Sequence, residues 1–194
     1  MPFLIAFDLD GVLYSAEPFL GDAYRTTIAR VNARHPGAFP YVPTTTEILQ
    51  HVGWPVPVIL QRLFPDIEQH AVDLLYVEVL DVICEYVRRK EGMLFPDVAE
   101  TLAQLQAEGY LLAVASNGRR KYVEAMLTTY DIAHHFTDLL SVDTPQGMRS
   151  KGELLQAYLD RHQLSAAECM MIGDRASDVE AAQAVNCRFI GCDY

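Results

Sequence analysis

Two carboxylates stand two residues apart at the end of a short apolar run, Phe3-Leu4-Ile5-Ala6-Phe7-Asp8-Leu9-Asp10-Gly11. The run has no helical period and ends in a Gly, so it reads as a buried strand that stops in a charged turn. Alternate strand residues share a face, which starts Asp8 and Asp10 on one side before Gly11 redirects the chain. Carboxylates that close repel each other unless a cation or a shared proton relieves them. The pair reads either as a solvated turn or as a site for acid–base chemistry on a bound cation. Three later clusters bear on that choice. Ser116-Asn117-Gly118 follows another apolar run and offers a hydroxyl, an amide and backbone donors suited to phosphate oxygens. Ser150-Lys151 falls where a helix begins, so an ammonium would join the helix's positive end. Gly173-Asp174-Arg175-Ala176-Ser177-Asp178 supplies two more carboxylates. Taken singly, these pass for a turn, a surface lysine and a capped helix with a solvated first-turn acid.

The elements around them put all four clusters at one edge. Tyr110 to Ala115, Leu139 to Val142, Cys169 to Ile172 and Arg188 to Ile190 are short apolar runs that read as strands. Helical spacing separates them, in Val98/Leu102/Leu105, Val123/Met126/Leu127, Leu154/Leu155/Tyr158/Leu159 and the Ala-rich stretch from Ala176 to Ala184. Strands alternating with helices of this length imply right-handed crossovers and a mostly parallel sheet, a Rossmann-like α/β core of three layers. Ligands of such sheets bind beyond the carboxyl ends of the strands, where each cluster falls. Between the first strand and this core the texture is helical throughout. Leu20/Tyr24/Ile28/Val31, the Thr44-Thr45-Thr46-Glu47 helix start, Val58/Leu60/Leu63 and the long face from Val72 to Val87 form an all-helical insertion. The expected division is 1–14 with 93–194 as the α/β core and 15–92 as a helical domain, hinged near Tyr14 to Glu17 and Lys90 to Met93.

Composition narrows the class. The chain has 194 residues, enough for a substantial core, and its 51% hydrophobic and 21% charged residues are those of a globular protein. A formal charge of −11 argues against nucleic acid and anionic membrane as partners. No run approaches the roughly 18 apolar residues of a membrane span, and Asp8 interrupts the only early apolar run, which speaks against a signal peptide. Cys84, Cys169, Cys187 and Cys192 are scattered without a C-x-x-C pair and read as reduced thiols of a cytoplasmic protein.

With these motifs in register the chain resembles the haloacid dehalogenase-like hydrolase superfamily, closest to its phosphoglycolate-phosphatase-like branch with an inserted helical cap. The resemblance rests on Asp8-Leu9-Asp10-Gly11-Val12, on Ser116 followed by Asn117, on Lys151, and on Gly173-Asp174 with Asp178. It implies a phosphatase acting on a small phosphorylated metabolite. Asp8 would attack phosphorus and form an aspartyl-phosphate, and Asp10 would act as acid and then base. Ser116, the Asn117 backbone and Lys151 would hold the phosphoryl oxygens. Mg2+ would be bound by Asp8, Asp174, the backbone carbonyl of Asp10, and Asp178 directly or through water. In the cap, Gly53, Trp54 and Arg62 are candidate substrate contacts, with packing or a solvated helix face as the alternative for each.

Other chemistries fit less well. A dehalogenase would not need Asp10 as an acid. A phosphonate hydrolase wants a Schiff-base lysine early in the cap, and the chain's lysines are Lys90, Lys121 and Lys151. A phosphomutase or phosphotransferase of the same fold stays open, as does a catalytically silent regulatory member. Ser15 stands where close relatives often carry Asp, which bears on the hinge. The end of the chain at Tyr194, soon after the last strand, suggests an exposed sheet edge, so monomer and homodimer both remain open.

Overall fold

The computed structural model describes residues 3–141, 143 and 150–193. In chain order the elements are β1 (Leu4–Phe7), β2 (Tyr14–Ser15), α1 (Glu17–Arg34), α2 (Thr45–Leu49), α3 (Val56–Leu63), α4 (Gln69–Arg88), β3 (Met93–Leu94), α5 (Val98–Ala107), β4 (Leu111–Ser116), α6 (Arg120–Thr129), β5 (Asp138–Ser141), α7 (Lys151–His162), β6 (Cys169–Gly173), α8 (Ala176–Val185) and β7 (Arg188–Gly191). They divide into two compact units, Met1–Ser15 with Leu94–Tyr194, and Ala16–Met93.

The first unit is built on a five-stranded sheet in the order β5-β4-β1-β6-β7, parallel at every junction. This is the α/β class expected from the alternation of apolar runs and helical spacings. β1 lies in the middle and all four of its residues are buried, which is why it is an unbroken apolar run. Leu4 and Ala6 share a core with Ala113, Ala115, Cys169 and Met171, covered by Leu154, Leu155, Tyr158 and Leu159 of α7 and by Ala181 and Ala182 of α8. The small residues of α8 let that helix lie close to the sheet. Ile5 and Phe7 alternate to the opposite layer, where Phe7 meets Phe136 edge to face at 6.3 Å. Among the described residues, no helix is long and apolar enough to cross a membrane.

Most expected elements are present with ends shifted by a residue or two. β4 extends to Ser116, one residue beyond its apolar run. Val142, expected in the third strand, lies outside the described residues. β2 and β3 were not anticipated, because two-residue strands carry no period for a pattern to reveal; they pair as a separate small sheet.

The second unit is helical. α1 and α4 pack through stacked Phe19 and Tyr86 rings 5.5 Å apart and a bidentate ion pair from Arg30 to Glu85 at 2.9 and 2.7 Å. Thr44 and Glu47 form the capping box that starts α2. α2 ends at Leu49, well before the Gly53-Trp54-Pro55 stop read from the sequence, and the intervening residues form turns.

Tyr158 ties the first unit together at a point where sheet and helix exchange hydrogen bonds. Its buried hydroxyl donates to Val114 O at 2.5 Å and accepts from Leu140 N at 2.5 Å, bridging β4 and β5. Removing that oxygen strands two buried backbone groups. Tyr158→Phe should therefore lower unfolding free energy by ~2 kcal/mol, measured by urea titration; an unchanged midpoint would show that the two strands close the gap directly.

Candidate active site

At the carboxyl end of the central strand a buried ammonium lies between two buried carboxylates. Lys151 Nζ is 2.6 Å from Asp8 Oδ2 and 2.6 Å from Asp178 Oδ1. The three residues are 3%, 2% and 0% exposed, so none of the charges is relieved by water. Three elements converge to make this contact: Asp8 follows β1, Lys151 is the first residue of α7, and Asp178 lies in the first turn of α8. Each helix begins there for a local reason. Ser150 caps α7 by accepting from Glu153 N at 3.2 Å, while Asp178 Oδ2 accepts from Asp174 N at 3.2 Å and Arg175 N at 3.0 Å. Asp178 thus engages Lys151 with one oxygen and folds the preceding loop with the other.

Burial sets the electrostatics. It pushes the Asp8 carboxyl up to about 6 even though Lys151 and the Leu9 N–H, which bonds Asp8 Oδ1 at 2.7 Å, pull it down. For Lys151 burial opposes the charge, but Asp8 and Asp178 outweigh it and its pKa rises. The ammonium is held charged by its two neighbours.

Asp10 is placed differently. It accepts a hydrogen bond from Tyr122 Oη at 2.5 Å through Oδ1 and is pushed up to about 7, chiefly by burial, with Asp8 adding to the shift. Tyr122, on α6, was not singled out in the sequence reading. Its signal was available: Tyr122 stands four residues before Met126 on the apolar face of α6, directly after the Ser116-Asn117-Gly118 cluster.

Asp174 follows β6 and is raised, first by burial, while Arg175 opposes the shift; Arg175 Nε lies 3.0 Å from Asp174 Oδ2. Its Oδ1 is buried with no hydrogen-bond partner among the described residues. One carboxylate oxygen each from Asp8, Asp174 and Asp178 falls within 4.8 Å of the others. An orphaned buried carboxylate oxygen in an all-oxygen donor set suits a hard dication such as Mg2+. The Asp10 carboxylate is not in this group. Gly11 adopts φ 86°, and a Cβ there would collide with the Asp174 carboxylate. A Cβ at Gly173 would overlap the Asp178 side chain. Both glycines are required by close approach to the acids.

Ser116 ends β4, is 2% exposed, and its Oγ accepts from Gly118 N at 2.9 Å. Asn117 follows in the same bend. Asp8, Asp10, Ser116, Asn117, Lys151, Asp174 and Asp178 therefore all belong to the first unit and to the carboxyl-end loops of one sheet. Gly53, Trp54 and Arg62 belong to the second unit. Gly53 and Trp54 lie in the turns after α2; the Arg62 guanidinium sits 4.4 Å from the centroid of the exposed Trp54 ring. Arg120, at the start of α6, pairs with Glu124 at 2.7 Å on a solvated helix turn.

Comparisons with known proteins match this architecture. A family model described as a haloacid dehalogenase-like hydrolase covers residues 4–186. The phosphoglycolate phosphatase of Vibrio cholerae is 31% identical over 202 residues, spanning 98% of this chain and 84% of that protein. A predicted phosphoglycolate phosphatase from Haemophilus somnus superposes with a TM-score of 0.85 at 24% identity, over 98% of this chain and 84% of its own. CbbY from Rhodobacter sphaeroides, solved in complex with phosphate, shares the fold at TM-score 0.78 and 17% identity, over 100% and 87%.

Two predictions concern the charges alone. Lys151→Met leaves two buried carboxylates without their cation and should cost ~3 kcal/mol or more at pH 7.5, recovering in part at pH 5 as the acids take up protons; equal loss at both pH values would refute the electrostatic origin. For Asp10, the folded pKa of about 7 exceeds the unfolded value near 3.8, so the metal-free folded state is penalised as pH rises through that interval. Asp10→Asn should then gain stability relative to wild type from pH 4 to pH 7 and level off above, by at most ~4 kcal/mol. Thermal melts in chelator across this range test it, and a flat difference would sink it.

Proposed function

This chain belongs to the haloacid dehalogenase-like hydrolases, and from that premise we propose that it is a Mg2+-dependent phosphatase of the phosphoglycolate-phosphatase type, hydrolysing a small phosphorylated metabolite through an aspartyl-phosphate on Asp8. The observation that carries the reading is the buried Asp8–Lys151–Asp178 triad with an unpartnered Asp174 oxygen in reach of it. A purely structural triad would have no need of a third carboxylate left half unsatisfied beside it.

Asp8 is the nucleophile. Leu9 N–H and Lys151 fix its two oxygens, so the carboxylate is oriented before substrate arrives. A carboxylate oxygen attacks phosphorus as the bond to the leaving oxygen breaks. Asp10 gives that oxygen a proton. Tyr122 already donates to Asp10 Oδ1, which leaves Oδ2 to carry the proton. In the second step Asp10 takes a proton from water as the water attacks the phosphoryl group, and Asp8 is released as carboxylate with inorganic phosphate. A group poised near neutrality serves both steps, and burial supplies that value.

Ser116 Oγ uses a lone pair on Gly118 N–H, so its hydrogen is free to donate to a phosphoryl oxygen. The Asn117 backbone and Lys151 complete that cradle. Asp8, Asp174 and the Asp10 carbonyl would hold Mg2+, with Asp178 contributing directly or through water. When bound, the ion supplies positive charge that offsets the carboxylates and the transferred phosphoryl group. The helical unit 15–92 would serve as a cap that limits bulk water while admitting the one that attacks, with Gly53, Trp54 and Arg62 as substrate contacts. On this reading the substrate is a small phosphate ester, handled in the cytoplasm.

A panel of phosphate esters, including phosphoglycolate, sugar phosphates and pyrophosphate, tests the proposal with Mg2+ present. Wild type should release phosphate from at least one, and Asp8→Asn should lose at least ~1,000-fold in kcat/KM. Turnover that survives either that substitution or chelation of the metal refutes the mechanism. Tyr122→Phe should lower kcat about tenfold with KM unchanged, since the hydroxyl touches Asp10 and not the phosphoryl cradle; an effect confined to KM would place Tyr122 in substrate binding instead.

A further inference from the structure

The four cysteines show no pairing in the sequence, yet the sheet brings two of them together at the end remote from the acids. Cys169 is the first residue of β6 and Cys187 immediately precedes β7. The parallel register sets Met170 opposite Arg188, so one residue back Cys169 stands opposite Cys187. Residues opposed across parallel strands point to the same face, on backbones about 4.8 Å apart, within the span that a disulfide bridges. Both residues belong to the apolar cluster beneath α7 and α8. Cys187 Sγ–H donates to Arg188 O at 3.4 Å, and the neighbouring Cys169 thiol holds the Cys187 thiol below its usual pKa. Cys169 is wholly buried, whereas Cys187 is only half-buried on the outermost strand of the sheet.

We propose that Cys169 and Cys187 are a reversible redox pair, closing to a disulfide when the protein meets a hydroperoxide. The lowered pKa of Cys187 beside Cys169 makes the more accessible sulfur the better nucleophile. Cys187 attacks the peroxide and breaks its O–O bond; one oxygen stays on sulfur as sulfenic acid and the other leaves as water or an alcohol. The Cys169 sulfur then attacks the sulfenic sulfur, the S–O bond breaks, and water departs with the Cys169 proton. The protein loses two electrons and two hydrogens, and a dithiol reductant restores them. The remaining cysteines are placed differently: Cys84 is fully buried in the helical unit, and Cys192 follows β7. The new bond would close a loop of chain containing Asp174 and Asp178, fastening the edge strand to its neighbour on either side of the acidic turn.

Peptide mapping tests the proposal without reference to phosphatase activity. The full-length protein is treated with hydrogen peroxide, alkylated and digested with trypsin without reductant. Cleavage after Arg161, Arg175 and Arg188 puts Cys169, Cys187 and Cys192 on separate peptides. The expected product joins 162–175 to 176–188, two hydrogens lighter than their sum, and disappears with dithiothreitol. In Cys169→Ala the same treatment should leave Cys187 as sulfenic or sulfinic acid. If that variant does not fold, Cys187→Ser serves, and its Cys169 should remain an unmodified thiol. Linkage of Cys187 to Cys192, overoxidation of Cys187 in wild type without the linked species, unchanged thiols, or oxidation of Cys169 in Cys187→Ser would each overturn it.

Discussion

A single ammonium shut away from water between two carboxylates is the contact on which the core domain depends. Each of those charges would be costly to bury alone, and the three are tolerable only together. Lys151 reaches Asp8 and Asp178 only if β1, α7 and α8 arrive at one point. The sheet order makes that possible by setting β1 beside β6, whose following loop leads into α8. Asp178 extends the constraint by pinning the backbone of residues 174 and 175, which holds the Asp174 carboxylate near Asp8.

The four acids share one chemistry and differ in company. Among the described residues, Asp8 and Asp178 have a cation, Asp174 has Arg175 on one oxygen and no hydrogen-bond partner on the other, and Asp10 has a neutral phenol. Environment therefore sorts them. The acids beside Lys151 are held in place, the half-satisfied one is suited to a dication, and the one without a cation keeps a proton most readily. Pushing titratable groups apart in this manner lets one cluster of carboxylates hold different protonation states at one pH.

The sheet class was legible because buried strands and amphipathic helices have distinct periods, and because the polar clusters follow the apolar runs at regular places. Asp8, Ser116, Lys151 and Asp174 could be picked out by residue type and position alone. The contacts among them could not. That Lys151 bridges Asp8 to Asp178, or that both Asp178 oxygens are taken, depends on how helices settle on the sheet. Tyr122 escaped notice since an aromatic residue on an apolar helix face usually signals packing. The small β2–β3 sheet was too short to leave a pattern, and the Cys169–Cys187 neighbours are hidden by their separation along the chain. Arg62 reads from the sequence as a substrate contact or a solvated helix residue, and its guanidinium over the Trp54 ring is a contact that spacing does not reveal.

The position of β1 carries a consequence for how the molecule is made. Leu4 has Leu111 on one side and Cys169 on the other, so this strand is made before both of its partners and has neither until β4 has followed. Non-local pairing of this kind is slow, because the entropy of closing long loops is lost before any contact offsets it. The helical unit has its own apolar interior and is synthesised meanwhile, while an apolar strand ending in Asp8 waits exposed. Newly made chains are therefore exposed to aggregation until residue 173 is available. Asp8 precedes Lys151 and Asp178 by most of the core, and a chain cut short of them would contain Asp8 and no site.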